Sequence, residues 1–165
     1  MYMAAGTSSL LVVLSLILMF FLFARSESTE PVYDEQTVRA EYFAPLIPMS
    51  IAGVDVEASV AATPKERKTG LSGTPFLPSG VVKLFIFSKP DKWGIWMPDM
   101  HYPIDIIWLD EVATIVHIET DVHPDTYPET FFPDEPALYV IETNAGFVDK
   151  HSITLGSRAD LPAGL

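Results

Sequence analysis

The sequence predicts a mainly β (β-dominated α+β) fold, a small barrel-like or strongly curved antiparallel or mixed sheet with two short helices, preceded by one transmembrane helix. Three observations predict it: an uncharged apolar run at the amino end, 14 prolines that cut the remaining chain into short pieces, and alternating or β-branched patterns inside those pieces. A chain of 165 residues has room for one modest domain and one membrane segment.

Met1 to Ala24 carry no charged side chain, and Leu10 to Ala24 is interrupted only by Ser15. About 20 apolar residues, each rising about 1.5 Å, cross a bilayer core, so Ala4 to Ala24 suffices. Residues 1–25 therefore read as a single-pass anchor in the cell membrane, with the soluble domain on the extracytoplasmic side. The competing reading is a secretory signal cleaved near Ala24-Arg25-Ser26, which would release the domain. The lack of Lys or Arg before the run, and its bulky Phe20 to Phe23 end, favour the anchor. Residues 26–50 are acidic and then proline-punctuated, with a weak helical pattern around Glu35 to Phe43, and read as a linker holding the domain off the lipid.

The domain proper is expected over 51–165. An interior proline costs a helix about 3 kcal/mol, so regular structure is pushed into the gaps 49 to 63, 79 to 89, 104 to 123 and 137 to 161. Val54, Val56, Ala58 and Val60 alternate with Asp55, Glu57 and Ser59, the period of a half-buried strand. Gly80 to Phe87 reads as a more buried strand. Ile104 to Leu109 and Ala113 to Glu119 read as a hairpin joined near Asp110-Glu111, and Leu138 to Thr143 as a further strand. Thr63-Pro64-Lys65-Glu66 has the form of a capping box that opens a helix ended by Gly70. Asn144 is expected to cap a second short helix running toward Lys150.

Charge narrows the function. The chain holds 22 acidic and 10 basic side chains, and past Arg25 only 9 basic ones remain. Phosphate backbones require clustered Lys and Arg, so nucleic acid is not expected as a partner. The absence of cysteine removes thiol nucleophiles, cysteine-zinc and iron–sulfur sites. No Gly-x-Ser-x-Gly elbow and no phosphate-binding glycine loop occurs, and the spacing of the four histidines matches no standard metal site. No cofactor and no metal are expected.

The ordered stretches Thr63 to Gly73, Leu84 to Phe87, Ile95 to Asp110 and Tyr127 to His151 together resemble the DUF192 family. The pattern Trp-Met-x-(Asn or Asp)-x3-Pro-(Leu or Ile)-Asp-Ile falls on Trp96, Met97, Asp99, Pro103, Asp105 and Ile106. A second run falls on Tyr139, Val140, Ile141, Glu142, Asn144, Ala145 and Gly146, with Ile141 where Leu is usual. The resemblance implies a small β-rich fold, often behind a signal or anchor, and no established activity.

Within those motifs, Asp99 and Asp105 lie six apart across a proline turn. Two carboxylates brought together can share acid and base work, or bind a hard cation with Glu142. Asp105 can instead accept backbone N–H groups and hold the turn shut. All three tryptophans fall between Trp93 and Trp108, where they either fill the core or wall a cleft, with Trp93 the expected exposed one. The acidic, proline-rich segment His123 to Pro136 reads as a lid or as cover for the barrel end.

The function expected is that of a membrane-tethered extracytoplasmic domain that binds a small polar ligand or an envelope partner protein. Trp96, Asp99, Asp105, Glu142 and Asn144 are the candidate binding residues: two aspartate acceptors, an aromatic wall and a second polar rim. The alternatives are a hydrolase or lyase acting on carbohydrate-like substrates through paired aspartates, with catalytic residues unassigned, and a structural envelope protein.

Overall fold

In a computed structural model, residues 32–163 are described. The expected transmembrane helix over 1–25 lies outside them, and among the described residues no helix is long and apolar enough to cross a membrane. The chain divides into the units Met1–Val32 and Tyr33–Leu165, and the second carries the fold.

That unit opens on helix α1 (Glu35–Val38), which continues as a π-helical turn, Arg39–Phe43. Asp34 caps it, its carboxylate accepting the Thr37 N–H at 3.0 Å. Strand β1 (Leu46–Ile51) follows at once. The expected linker over 26–50 is thus corrected from Asp34 onward: Val38 and Phe43 are fully buried in the core, and Arg39 pairs with Glu57 on the neighbouring strand β2 (Val54–Ala61). The acidic surface of this stretch hid an apolar stripe of two residues, each worth about 1.5–3 kcal/mol of burial.

Helix α2 (Pro64–Thr69) carries the predicted capping box: Thr63 Oγ1 accepts from Glu66 N at 3.2 Å, and the Glu66 carboxylate accepts from Thr63 N at 2.8 Å. Then come β3 (Val81–Asp91), β4 (Ile95–Trp96), β5 (Ile104–Leu109), β6 (Ile115–Val122), β7 (Thr130–Phe131), β8 (Ala137–Asn144), helix α3 (Phe147–His151) and β9 (Ala159–Asp160). Helix α3 starts two residues later than expected. Its N-cap is Gly146, at φ +80°, whereas Asn144 is still in the strand and donates its side-chain amide to Leu77 O.

Seven strands form one mixed sheet in the order β6-β5-β8-β3-β2-β1-β9, while β4 and β7 form a two-stranded ribbon. Only β2 and β3 run parallel, and helix α2 makes their crossover. The sheet curls into a half-barrel. Its last segment ties the two ends together: Ala159 and Asp160 pair with β1, while Ala159 N bonds Ala113 O and Ile115 N bonds Ser157 O at the β5–β6 turn.

Both faces of the sheet are covered, which is why β5 is buried at all six positions. Ile104, Ile106 and Trp108 join one core with Phe85, Val140 and Met97; Ile107 and Leu109 join the other with Leu84 and Ile141. Alternation along the strand therefore assigns each polar residue to one side or the other.

Candidate functional site

A single row of directly registered residues crosses four strands on the first of those faces. Ser59 on β2 pairs with Lys83 on β3, Lys83 with Glu142 on β8, and Glu142 with Ile106 on β5. Ser59, Lys83 and Glu142 are all buried. Lys83 Nζ donates to Ser59 Oγ at 3.1 Å. One oxygen of Glu142, Oε2, has no hydrogen-bond partner in the structure. Burial pushes the Glu142 carboxyl up to about 8, against the smaller opposing pull of Lys83. Burial also lowers the Lys83 ammonium, against the pull of Glu142 and Glu66. At neutral pH Glu142 is therefore largely a neutral acid, able to donate as well as accept.

Above Glu142 opens a hollow of about 190 Å³. Phe85, Phe87, Trp96, Pro98 and Met100 give it apolar walls, and the turn Thr69–Ser72 forms its other side with Arg67 and Lys68. Trp96 is 46% exposed. Its indole leans on Tyr127 from the 123–136 segment, with ring centroids 5.9 Å apart. Arg67 is held in place, donating to the carbonyls of Ala62 and Ile86 with its guanidinium over the Phe87 ring. Gly94 lets the β4–β7 ribbon close, because a Cβ there would lie 2.6 Å from Phe132 Cε1 and Thr130 Cγ2.

The five candidate residues are not brought to one place. Trp96 and Glu142 share the hollow. Asp105 points to the opposite face from Ile106 and Glu142, fully buried, where Oδ1 accepts from Asp121 N (2.9 Å) and Gly146 N (3.2 Å) and Oδ2 from Val148 N (2.9 Å). Its oxygens thus pin the β6 end and the start of α3 to β5. Asp99 is exposed between two lining residues at φ +52°, its carbonyl accepting from Gly73 N. That left-handed turn position suits Asp or Asn, whose short polar side chains tolerate it. Asn144 borders a second hollow, with Asp55, Lys150 and His151.

Trp93, expected to be exposed, is half-buried: it stacks on Phe87 at 4.2 Å, and its carbonyl accepts from the indole of Trp108 at 2.8 Å. In the 123–136 segment, Phe131 packs on the core, while Phe132 stays 56% exposed. Among the described residues no cluster of three His, Asp or Glu is disposed to hold a metal ion. Sequence reasoning passed over Lys83, although a lone charge inside the apolar run Val81 to Phe87 was a visible signal.

The DUF192 family model, described as uncharacterized ACR, matches residues 47–161. A crystal structure from Sinorhizobium meliloti 1021, provisionally described as a transcription regulator, superposes with a TM-score of 0.65 at 26% identity, covering 73% of this chain and 94% of that one. A protein of unknown function from Novosphingobium aromaticivorans superposes with a TM-score of 0.66 at 24% identity, covering 70% and 85%. Curated proteins provide no match.

Proposed function

Since the chain belongs to the DUF192 family, which brings no activity with it, we propose from the site itself that this is a binding domain for a small, uncharged, hydroxyl- or carbonyl-bearing molecule, held in the hollow above Glu142. The observation that carries the reading is a buried carboxyl, Glu142, that lines an apolar-walled opening and keeps one oxygen, Oε2, without a hydrogen-bond partner among the described residues. A buried polar atom left without a partner costs about 1–3 kcal/mol, and a turn of the carboxyl toward a ligand oxygen in the hollow recovers that cost on binding. Trp96 supplies a flat face against which a sugar-like ring or a planar group packs. The hollow is smaller than the ~300–1,000 Å³ of drug-sized pockets, which restricts the occupant to a small molecule.

The domain is proposed to work tethered to a membrane, on its extracytoplasmic side. Support comes from the uncharged run Leu10 to Ala24. Protease added to intact cells tests the orientation: cleavage of the domain agrees with it, and protection contradicts it. A hydrolase using Asp99 and Asp105 together is disfavoured, because both oxygens of Asp105 are already taken by backbone donors. Direct nucleic-acid contact, which the description of the Sinorhizobium protein would suggest, is disfavoured by 22 acidic against 10 basic side chains.

Binding is tested by ligand-observed NMR on wild type and Trp96→Ala, with a panel of monosaccharides, small amides and small ketones. The reading expects at least one compound to show saturation transfer with wild type and to lose it with the variant. No binder in the panel, or binding that survives the substitution, overturns it.

A further inference from the structure

On the other side of the Thr69–Ser72 turn lies a separate hollow of about 340 Å³, and Lys83 lines it together with Thr63, Glu66 and Thr74. We propose that Lys83 is a carbonyl-capturing amine, forming a reversible imine with a small aldehyde or ketone that enters this hollow. The inference does not depend on occupancy of the hollow above Glu142.

Three observations point to it. Lys83 is only 9% exposed, yet it borders open space, so a small molecule reaches an amine that bulk water scarcely solvates. Its position is set from both sides along the sheet: Ser59 accepts from Nζ at 3.1 Å, and Glu142 stands in register on the next strand. Among the described residues no carboxylate lies within ion-pair distance of Nζ, although Glu142 on β8 and Glu66 on α2 both face it and hold its proton back in part. Burial outweighs both and favours the free amine, the form that attacks carbon. Tyr42 and Lys65 complete the ionisable lining of the hollow. Ser59 is buried and does not border it, so the reachable nucleophile is the amine rather than a serine hydroxyl using lysine as base.

The step balances without a further reagent. The Nζ lone pair forms a C–N bond to the carbonyl carbon, whose oxygen takes up a proton. The carbinolamine then loses that oxygen as water when the C=N bond forms, and nitrogen gives up its remaining proton.

Reductive trapping tests the proposal on the intact chain. Acetaldehyde with cyanoborohydride is applied briefly at pH 7, and alkylation is read for each lysine by peptide mass spectrometry. Lys65, exposed on the rim of the same hollow, is the internal reference. Lys83 is expected to be alkylated faster than Lys65, because burial favours its free amine. Labelling in denaturant shows that both peptides are detected equally. A Lys83 that stays unmodified in the folded protein, or reacts only at the pace of Lys65, overturns the proposal.

Discussion

Lys83 and Glu142 stand opposite each other on adjacent antiparallel strands, both buried, yet they close no ion pair: Lys83 Nζ turns to Ser59, and Glu142 Oε2 is left free beneath a hollow. A buried pair in tight contact would have neutralised itself in structural fashion. Here desolvation acts on each partner, and each faces its own opening.

Stability should fall as pH rises, because of Glu142. Its folded value, about 8, lies above the ordinary glutamate value of about 4.3, so the folded state binds more protons between those values than the unfolded state does. The stabilisation is fully present below the unfolded value and is lost as pH rises through the folded one. Thermal melts from pH 5 to 8 should show this loss in wild type and a flatter profile in Glu142→Gln. Lys83, whose ammonium burial lowers, acts with the opposite sign.

Asp105→Asn should destabilise the fold by about 2–4 kcal/mol in urea unfolding, because an amide N–H would then confront one of the three backbone donors that the carboxylate accepts. Ligand binding above Glu142, on the other face, should be retained in the folded fraction.

Thr63→Ala should cost about 1 kcal/mol by removing the acceptor for Glu66 N at the start of α2. Chemical denaturation measures it, and Thr63→Ser should restore most of the loss.

Gly94→Ala should open the β4–β7 ribbon. The added methyl meets Thr130 Cγ2 and Phe132 Cε1 at 2.6 Å. Phe132 is exposed and can swing away, whereas Thr130 is short and branched, so the strand itself must shift. The expected loss is about 1–3 kcal/mol in denaturant melts, with weaker binding in the adjoining hollow.

The sequence made some of this architecture legible and hid the rest for physical reasons. Alternation announced β2, a β-branched run announced the β5–β6 hairpin, and the capping box announced α2, because each is a local signal. Strand β1 carries Pro48 and lies in an acidic, proline-rich stretch, so its pairing with β2 is decided by tertiary contacts. Strands β4, β7 and β9 have two residues each, too few for any period to show. At the site, Trp96 and Glu142 were picked out by motif and do share a hollow. Spacing could not reveal that Asp105 faces the other way, since a turn of unknown shape separates it from Asp99. Its neighbours Ile104 and Ile106 did carry the answer: in a strand, the residue between two that face one core must face the other.

The account depends on Glu142 being an uncharged acid at neutral pH beneath the hollow, and a carbon-13 NMR titration of its side-chain carboxyl reads that state directly. The account predicts a midpoint near 8. A midpoint near the ordinary glutamate value of about 4.3 would mean a solvated or tightly ion-paired carboxylate, and would contradict it.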